Sequence, residues 1–418
     1  MKIINPMLLL IGVISSNSSS LYNNSILLFT SDLYKEYAKN NNGNFLLSPS
    51  SLHAVLSLAT VGGKENTLQQ LSKALHLPPD AQKIQSMFQT LTPNFEVTKL
   101  YQFGSANKMY VHESMTIKKE YEETAANVFK TDVENVDFNN KKETTSKINK
   151  WVESKTDSKI KDLIKENSLD SNVGLILVNA LYFHGFWLNE FEPANLGFFY
   201  LNKTQVVNTE MMYQRKYFKY YEDDLLDAQF LEMPFKGDNV VMTFVLPKKV
   251  DGLASLEQNI SKVLAVDNLS LADVEVGIPK FKIESDVDLK PLLNSIGIVE
   301  PFTSFANFKG ISDHFPLYIG RTFQKTFLEI TEKGATATAA TDLTIVLHSF
   351  PDALFTADHP FLFYLKHKIY GIFFVGRSEP MIFDELPLKE KEVTNLIDFY
   401  DNVPSTSWEG NDDILPRR

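Results

Sequence analysis

Two fragments of this 418-residue chain come near to known catalytic motifs, and each is incomplete. Gly62-Gly63-Lys64 has the residue types of a phosphate-cradling loop without the spacing. His112-Glu113 begins the pattern that holds zinc in metalloproteases, but no second histidine follows at the helical interval. The eight histidines are scattered without metal-ligand spacing. No nucleophile elbow or dinucleotide fingerprint occurs. The absence of cysteine removes thiol catalysis, disulfides, Cys-ligated zinc and iron–sulfur clusters together. A triad can assemble in space without a local motif. The expectation is nonetheless a protein that is not an enzyme and binds no metal or cofactor.

One segment asks for mechanical rather than catalytic chemistry. After the strand-like run Phe327–Ile330 and the exit Glu332-Lys333-Gly334 comes Ala335-Thr336-Ala337-Thr338-Ala339-Ala340-Thr341, then Asp342 to Phe350. Between Ala335 and Phe350 there is no glycine or proline, the residues that punctuate surface loops. The small residues come first and the β-branched Thr344, Ile345 and Val346 follow, favouring an extended strand. Alanine is a poor strand former, so an ordinary sheet strand explains the segment badly. A strand that must enter a formed core between two others needs small side chains.

The remaining sequence supplies elements to hold such a segment. Amphipathic or capped helical patterns occupy Ser25–Lys39, Ser48–Ala59, Thr67–Leu75, Asp80–Gln89 and Ser146–Ile164. Strand patterns occupy Phe45–Leu47, Gly174–Phe183, Ala228–Pro234, Val240–Leu246, Val274–Ile278, Phe323–Ile330, Phe361–Tyr364 and Ile372–Val375. Helices dominate the first 170 residues and strands the rest, a mixed α+β pattern. Length alone suggests two or three domains, yet no linker or repeat appears between residues 25 and 380. The net charge of −11 argues against nucleic acid, and no apolar stretch is long enough to span a membrane.

The two ends differ from this body. Lys2, the apolar run Met7–Ile14 and the small residues Ser15–Ser20 read as a secretory signal over residues 1–20, so the protein is expected outside the cell. A buried N-terminal helix is the alternative. Asn17, Asn23, Asn202, Asn259 and Asn268 open glycosylation triplets. Residues 381–418 form an acidic extension with nine acids and four bases. It reads as a solvated tail, and its Asp398-Phe399-Tyr400-Asp401 motif, acidic and aromatic, could dock on a basic surface.

Glu332-Lys333-Gly334-Ala335-Thr336-Ala337-Thr338-Ala339-Ala340-Thr341 resembles the reactive-loop hinge of the serpins. Further blocks resemble that family in the same order. They are Asn44–Ser51, Asn179–Trp187, Met233–Asp238, Pro279–Lys282, Ala357–Phe361 and Phe374–Arg377. The resemblance covers roughly residues 25 to 380.

The resemblance implies a single serpin domain over residues 21–380, with a helical N-terminal part packed on a large central β-sheet, two further sheets and an exposed reactive-centre loop. It implies a suicide inhibitor of a chymotrypsin- or trypsin-type serine protease, trapped in a covalent complex. The cut fourteen residues after the hinge glycine falls at His348–Ser349, with Leu347 as the fallback, and residues 335–347 then enter the sheet as a strand. Ser48, Ser51, Asn179, Gln324 and Trp187 would form the polar cluster at the sheet's opening. Gln324 stands where many serpins carry histidine, Lys333 where acidic residues are frequent, and Thr336 where glutamate is frequent. A non-inhibitory binding or carrier protein on the same scaffold is the alternative. A monomer is expected. The helix over residues 80–89 offers only Lys83, so heparin binding is not supported.

Overall fold

The apolar run after residue 174 becomes β4 (Leu175–Gly185), buried at every position but His184. A strand so uniformly apolar must be covered on both faces. The computed structural model describes residues 6–91, 101–170, 173–237, 239–313, 316–334, 350–368, 370–378 and 384–385. In it β4 is the centre of a five-stranded sheet. The order is β10 (Phe281–Asp288), β11 (Ile319–Ile330), β4, β2 (Tyr101–His112) and β3 (Asp132–Val136). One face carries α1 (Pro6–Ala38), α2 (Pro49–Gly62), α3 (Glu65–Ala74) and α4 (Ala81–Leu91), whose Phe29, Leu52 and Leu56 share a core with Leu177. Near them, α5 (Lys119–Thr124) runs into a π-helical turn over Ala125–Phe129. The other face carries α6 (Lys141–Lys155), whose Ile148 and Val152 meet Ile176, Val178 and Phe323.

The remaining strands form one ten-stranded hydrogen-bonded sheet. Its path is β1 (Phe45–Leu47), β14 (Gly371–Ser378), β13 (Phe361–His367), β8 (Val240–Pro247), β7 (Ala228–Pro234), β6 (Gln205–Asp223), β9 (Ser270–Pro279) and β12 (Ala353–Thr356). The strands β5 (Asn195–Asn202) and β15 (Asp384–Glu385) also pair with β6. The two further sheets expected are therefore joined, because the 19-residue β6 pairs with β9 over its middle and with β7 at its end. Short helices α7 (Leu253–Gln258), α8 (Ile260–Leu264) and α9 (Leu289–Ser295) complete the body.

Two helix boundaries differ from expectation. The first helix begins at Pro6 and runs through the serine-rich zone. The helix expected through Ile164 stops at Lys155, since Asp157, Ser158 and Asp162 take φ of 45°, 58° and 52°. Such left-handed residues cannot continue a right-handed helix, and Asp and Ser tolerate them best in turns.

The core between α1, α2 and α4 holds a histidine that cannot accept a proton without loss. His53 is fully buried among Tyr22, Phe29 and Phe88. Its Nε2 lies 2.8 Å from Ser25 Oγ and 3.1 Å from the Leu75 carbonyl. Burial pulls its pKa down to about 4; the Leu75 carbonyl opposes this and His76 adds to it. The unfolded chain takes up this proton near pH 6.5, and the folded one does not until about pH 4. Stability from this group is therefore complete above pH 6.5 and falls as pH drops toward 4, by on the order of 3 kcal/mol. Urea unfolding across this window should show that slope, and His53→Gln should reduce it without abolishing it, since burial and then Lys368 also hold His367 down to about 4.

Candidate functional site: the seam of the central sheet and the loop hinge

Within the five-stranded sheet, β4 and β11 run parallel, paired from Leu175–Ile319 to Tyr182–Phe327. Parallel pairing is the weaker kind, with slanted hydrogen bonds. A chain leaving the end of β11 and turning back would lie antiparallel to both strands. This seam carries polar residues in a row across three strands. Asn107 of β2 faces Asn179 of β4, which faces Gln324 of β11.

These side chains meet the start of α2. Gln324 Nε2 donates to Asn179 Oδ1 at 2.7 Å and to the Ser48 carbonyl at 3.0 Å, while its Oε1 accepts from the Ser48 N–H at 3.1 Å. Asn179 Nδ2 donates to Ser51 Oγ and to Asn107 Oδ1, each at 2.6 Å, and Ser51 Oγ donates to Asn107 at 2.9 Å. Ser48 opens α2 before Pro49, but its hydroxyl makes no capping bond and is buried without a partner among the described atoms. Asn179 and Gln324 are both fully buried. The network pins both seam strands to the helix beneath them. Ser48, Ser51, Asn179 and Gln324, the residues that the family resemblance implies, are thus brought together here. Asn107 is a member that the sequence reading missed, because only the strand register brings it there.

Trp187 is not in this cluster. Its ring stacks on Phe235 at 4.2 Å, and its Nε1 donates to the Thr331 carbonyl at 3.0 Å. The tryptophan belongs to the hinge instead. Its N–H donates to the Lys333 carbonyl at 3.1 Å, and Phe191 N–H donates to the Glu332 carbonyl at 2.8 Å. Thr331 and Gly334 exchange backbone bonds of 3.0 Å, closing a tight turn. Gly334 has φ of 110°, and a Cβ there would lie 2.3 Å from the Gly185 carbonyl, so only glycine fits. Beside the turn, Glu332 meets Lys280 at 2.9 Å and accepts from the Ala194 N–H at 3.3 Å. Burial pushes the Glu332 carboxyl up, but Lys280 and backbone N–H groups outweigh it and hold it below the usual carboxylate range. The chain is thus held firmly up to Gly334, at the end of the seam. Ala335, Thr336, Ala337, Thr338, Ala339, Ala340, Thr341, Leu347, His348 and Ser349 lie outside the described residues.

The outer side of the seam is strapped by the turn after α6. Tyr182 of β4 donates to the Asp157 carboxylate. Lys325 of β11 donates to the Lys161 carbonyl at 2.8 Å and pairs with Glu284 at 2.9 Å. Lys159 lies over the Phe327 ring. Burial and then the Asp157 charge push the Tyr182 phenol well up, so it remains a donor. The strap touches both seam strands. Tyr182→Phe removes its charge-assisted bond. It should lower stability by about 1–2 kcal/mol, read as a lower urea midpoint at unchanged slope.

The glycosylation candidates divide by access. Asn202 and Asn268 are exposed, Asn202 beside a hairpin turn and Asn268 in the coil before β9. Asn259 is half-buried, its amide donating to the Ser255 carbonyl at 3.0 Å. Asn23 is half-buried within α1 with a buried Oδ1, which is poor access for a glycan.

Residues 24–380 match the family described as Serpin (serine protease inhibitor). Human Serpin B4 is 33% identical over 376 residues, covering 84% of this chain and 96% of that protein. The crystal structure of Serpin48, described as a highly specific serpin of the insect Tenebrio molitor, is 35% identical with a TM-score of 0.80, covering 86% of this chain and 98% of that one. Human thyroxine-binding globulin, solved with thyroxine, is 26% identical with a TM-score of 0.77, covering 86% of this chain and 97% of that one. The parallel seam, the turn at Gly334 and a family match spanning the body agree, and the chain belongs to the serpin family.

Proposed function

We propose that this chain is a secreted suicide inhibitor of a chymotrypsin- or trypsin-type serine protease, and not an enzyme. The protease's serine oxygen attacks the His348 carbonyl carbon, forming an ester as the His348–Ser349 bond breaks and the Ser349 amine leaves with a proton. The freed segment then enters between β4 and β11 before water can cleave the ester. Fourteen residues, 335 to 348, at ~3.3 Å each would move the attached protease by roughly 46 Å. The observation that carries this reading is the parallel β4–β11 pair, whose upper end adjoins the anchored turn at Gly334. A segment rich in Ala and Thr leaves that turn, with little bulk and no charge near its start to resist burial.

Asn202 and Asn268, both exposed, suit a secreted glycoprotein. The test is incubation with chymotrypsin, trypsin and elastase followed by denaturing gels. A denaturant-stable complex with a released peptide beginning at Ser349 is expected; one beginning at His348 would place the cut after Leu347. Cleavage without any complex would favour a binding or carrier role, the reading that the likeness to thyroxine-binding globulin supports.

A further inference from the structure

The chain downstream of the loop leads into a sheet face that carries large apolar side chains toward solvent. Across β6, β9 and β12 the side chains alternate. Met212, Phe218, Val274, Val276 and Phe355 point inward and are buried. The outer set is in register: Arg215 faces Glu275, which faces Leu354; Tyr217 faces Asp273; Lys219 faces Leu271. On this outer side Tyr217 is 67% exposed, Leu271 69% and Leu354 60%. Phe350 is 86% exposed, and Asp352 extends the ladder toward it with an N–H bond of 2.8 Å to the Asp273 carbonyl.

The charges here are organised. Arg215 grips Asp273 through two nitrogens, Nε at 3.1 Å and Nη2 at 2.7 Å, and Lys219 meets Glu232 at 2.9 Å. With Glu275 and Asp352 included, the face carries more carboxylates than cations. It therefore fits a partner with exposed apolar groups and a basic rim.

Covalent geometry names that partner. Ser349 adjoins Phe350, so the bait bond lies within two Cα steps, ~8 Å, of an exposed residue just ahead of β12. From Phe350 to Leu354 the chain spans at most ~14 Å. A protease domain of roughly 240 residues has a radius of gyration of ~18 Å, so one engaged at that bond has little room to clear this face. We propose that the outer face of β6, β9 and β12, centred on Tyr217, Leu271 and Leu354, is a docking surface for the target serine protease and helps to set which protease is inhibited quickly. This rests on the inhibitory reading above.

The test measures the second-order rate constant and the stoichiometry of inhibition with whichever of chymotrypsin, trypsin or elastase forms the complex. The parent chain is compared with Tyr217→Ala/Leu271→Ala and with Glu275→Lys. Both variants alter outward side chains, and thermal unfolding checks that the fold is kept. The double variant should associate at least tenfold more slowly at unchanged stoichiometry, since the loop and seam are intact. Glu275→Lys should slow association at low salt and flatten its salt dependence. Unchanged rates in both variants, with the complex still forming, would overturn the docking surface alone. If the double variant abolishes a dimer without slowing inhibition, the face belongs to a second copy and the proposal also falls. A parent chain that forms no covalent complex with any of the three overturns the inhibitory reading and this one with it.

Discussion

Ala337→Arg should leave a chain that proteases cut but that no longer traps them. The slot between β4 and β11 is covered by α2 and its neighbours on one side and by α6 and its strap on the other. Whichever way residue 337 points after insertion, its side chain enters a core. An unpaired guanidinium buried there costs several kcal/mol, whereas alanine costs little. On the inhibitory reading proposed above, trapping is a race between strand insertion and hydrolysis of the ester, so a barrier raised by only ~3 kcal/mol slows insertion by more than a hundredfold. The excess of the stoichiometry of inhibition over one should rise more than a hundredfold, and the stable complex should fade from denaturing gels. Cleavage at the loop should continue at its former rate. Ala337→Ser, small and uncharged, should keep the parent behaviour. Undiminished trapping by the arginine variant would sink the insertion mechanism.

The legible parts of this fold were those whose surroundings are uniform. The strand β4 is buried on both faces, and its apolar run announced it. The strand β7 was read to the residue, since Pro234 and the following turn bound it. The strands β2 and β6 escaped notice for a shared reason. Lys108 is drawn into the interior by an ion pair with Glu134, and Gln214 is buried by a bond to the Asn189 carbonyl, so each breaks the apolar pattern that marks a strand. Those compensations are tertiary and leave no local trace. The site divides in the same way. Gly334 and the small residues after it stand out because their types are odd for a loop. Asn107 is an ordinary asparagine until the register sets it opposite Asn179. Trp187 was assigned to the polar cluster through its neighbours in sequence, but Gly185 and Phe186 carry the chain on to the hinge, where its indole finds Thr331. The strap lies where the sequence pattern predicts helix, although Thr156-Asp157-Ser158 and Asp162 carry the turn chemistry that ends it.

Asn179→Ala should be the most damaging single change outside the loop. Asn179 is fully buried and its amide bridges the seam, accepting from Gln324 on β11 and donating to Ser51 on α2 and Asn107 on β2. Truncation deletes three hydrogen bonds and leaves polar groups of its partners in a space without water. Orphaned buried groups cost about 1–3 kcal/mol each, and re-pairing between Ser51 and Asn107, already 2.9 Å apart, recovers a part. A net loss of about 3 kcal/mol is expected, a large share of the ~5–15 kcal/mol that holds a native domain. The damage falls on a parallel pairing, because β4 and β11 lose their shared tie to α2 while only their own ladder and the strap still span them. A seam that opens exposes two unpaired strand edges, which template pairing with any extended chain, including the hinge segment of another copy. The variant should therefore unfold at lower urea and form ladders of higher oligomers on mild heating, seen on native gels, at temperatures where the parent stays monomeric. Asn179→Asp would keep the acceptor for Gln324 but set a carboxylate against Asn107 Oδ1, and should fare no better at neutral pH. If Asn179→Ala instead matches the parent in urea midpoint and heat-induced oligomers, the polar row is not what holds the seam closed.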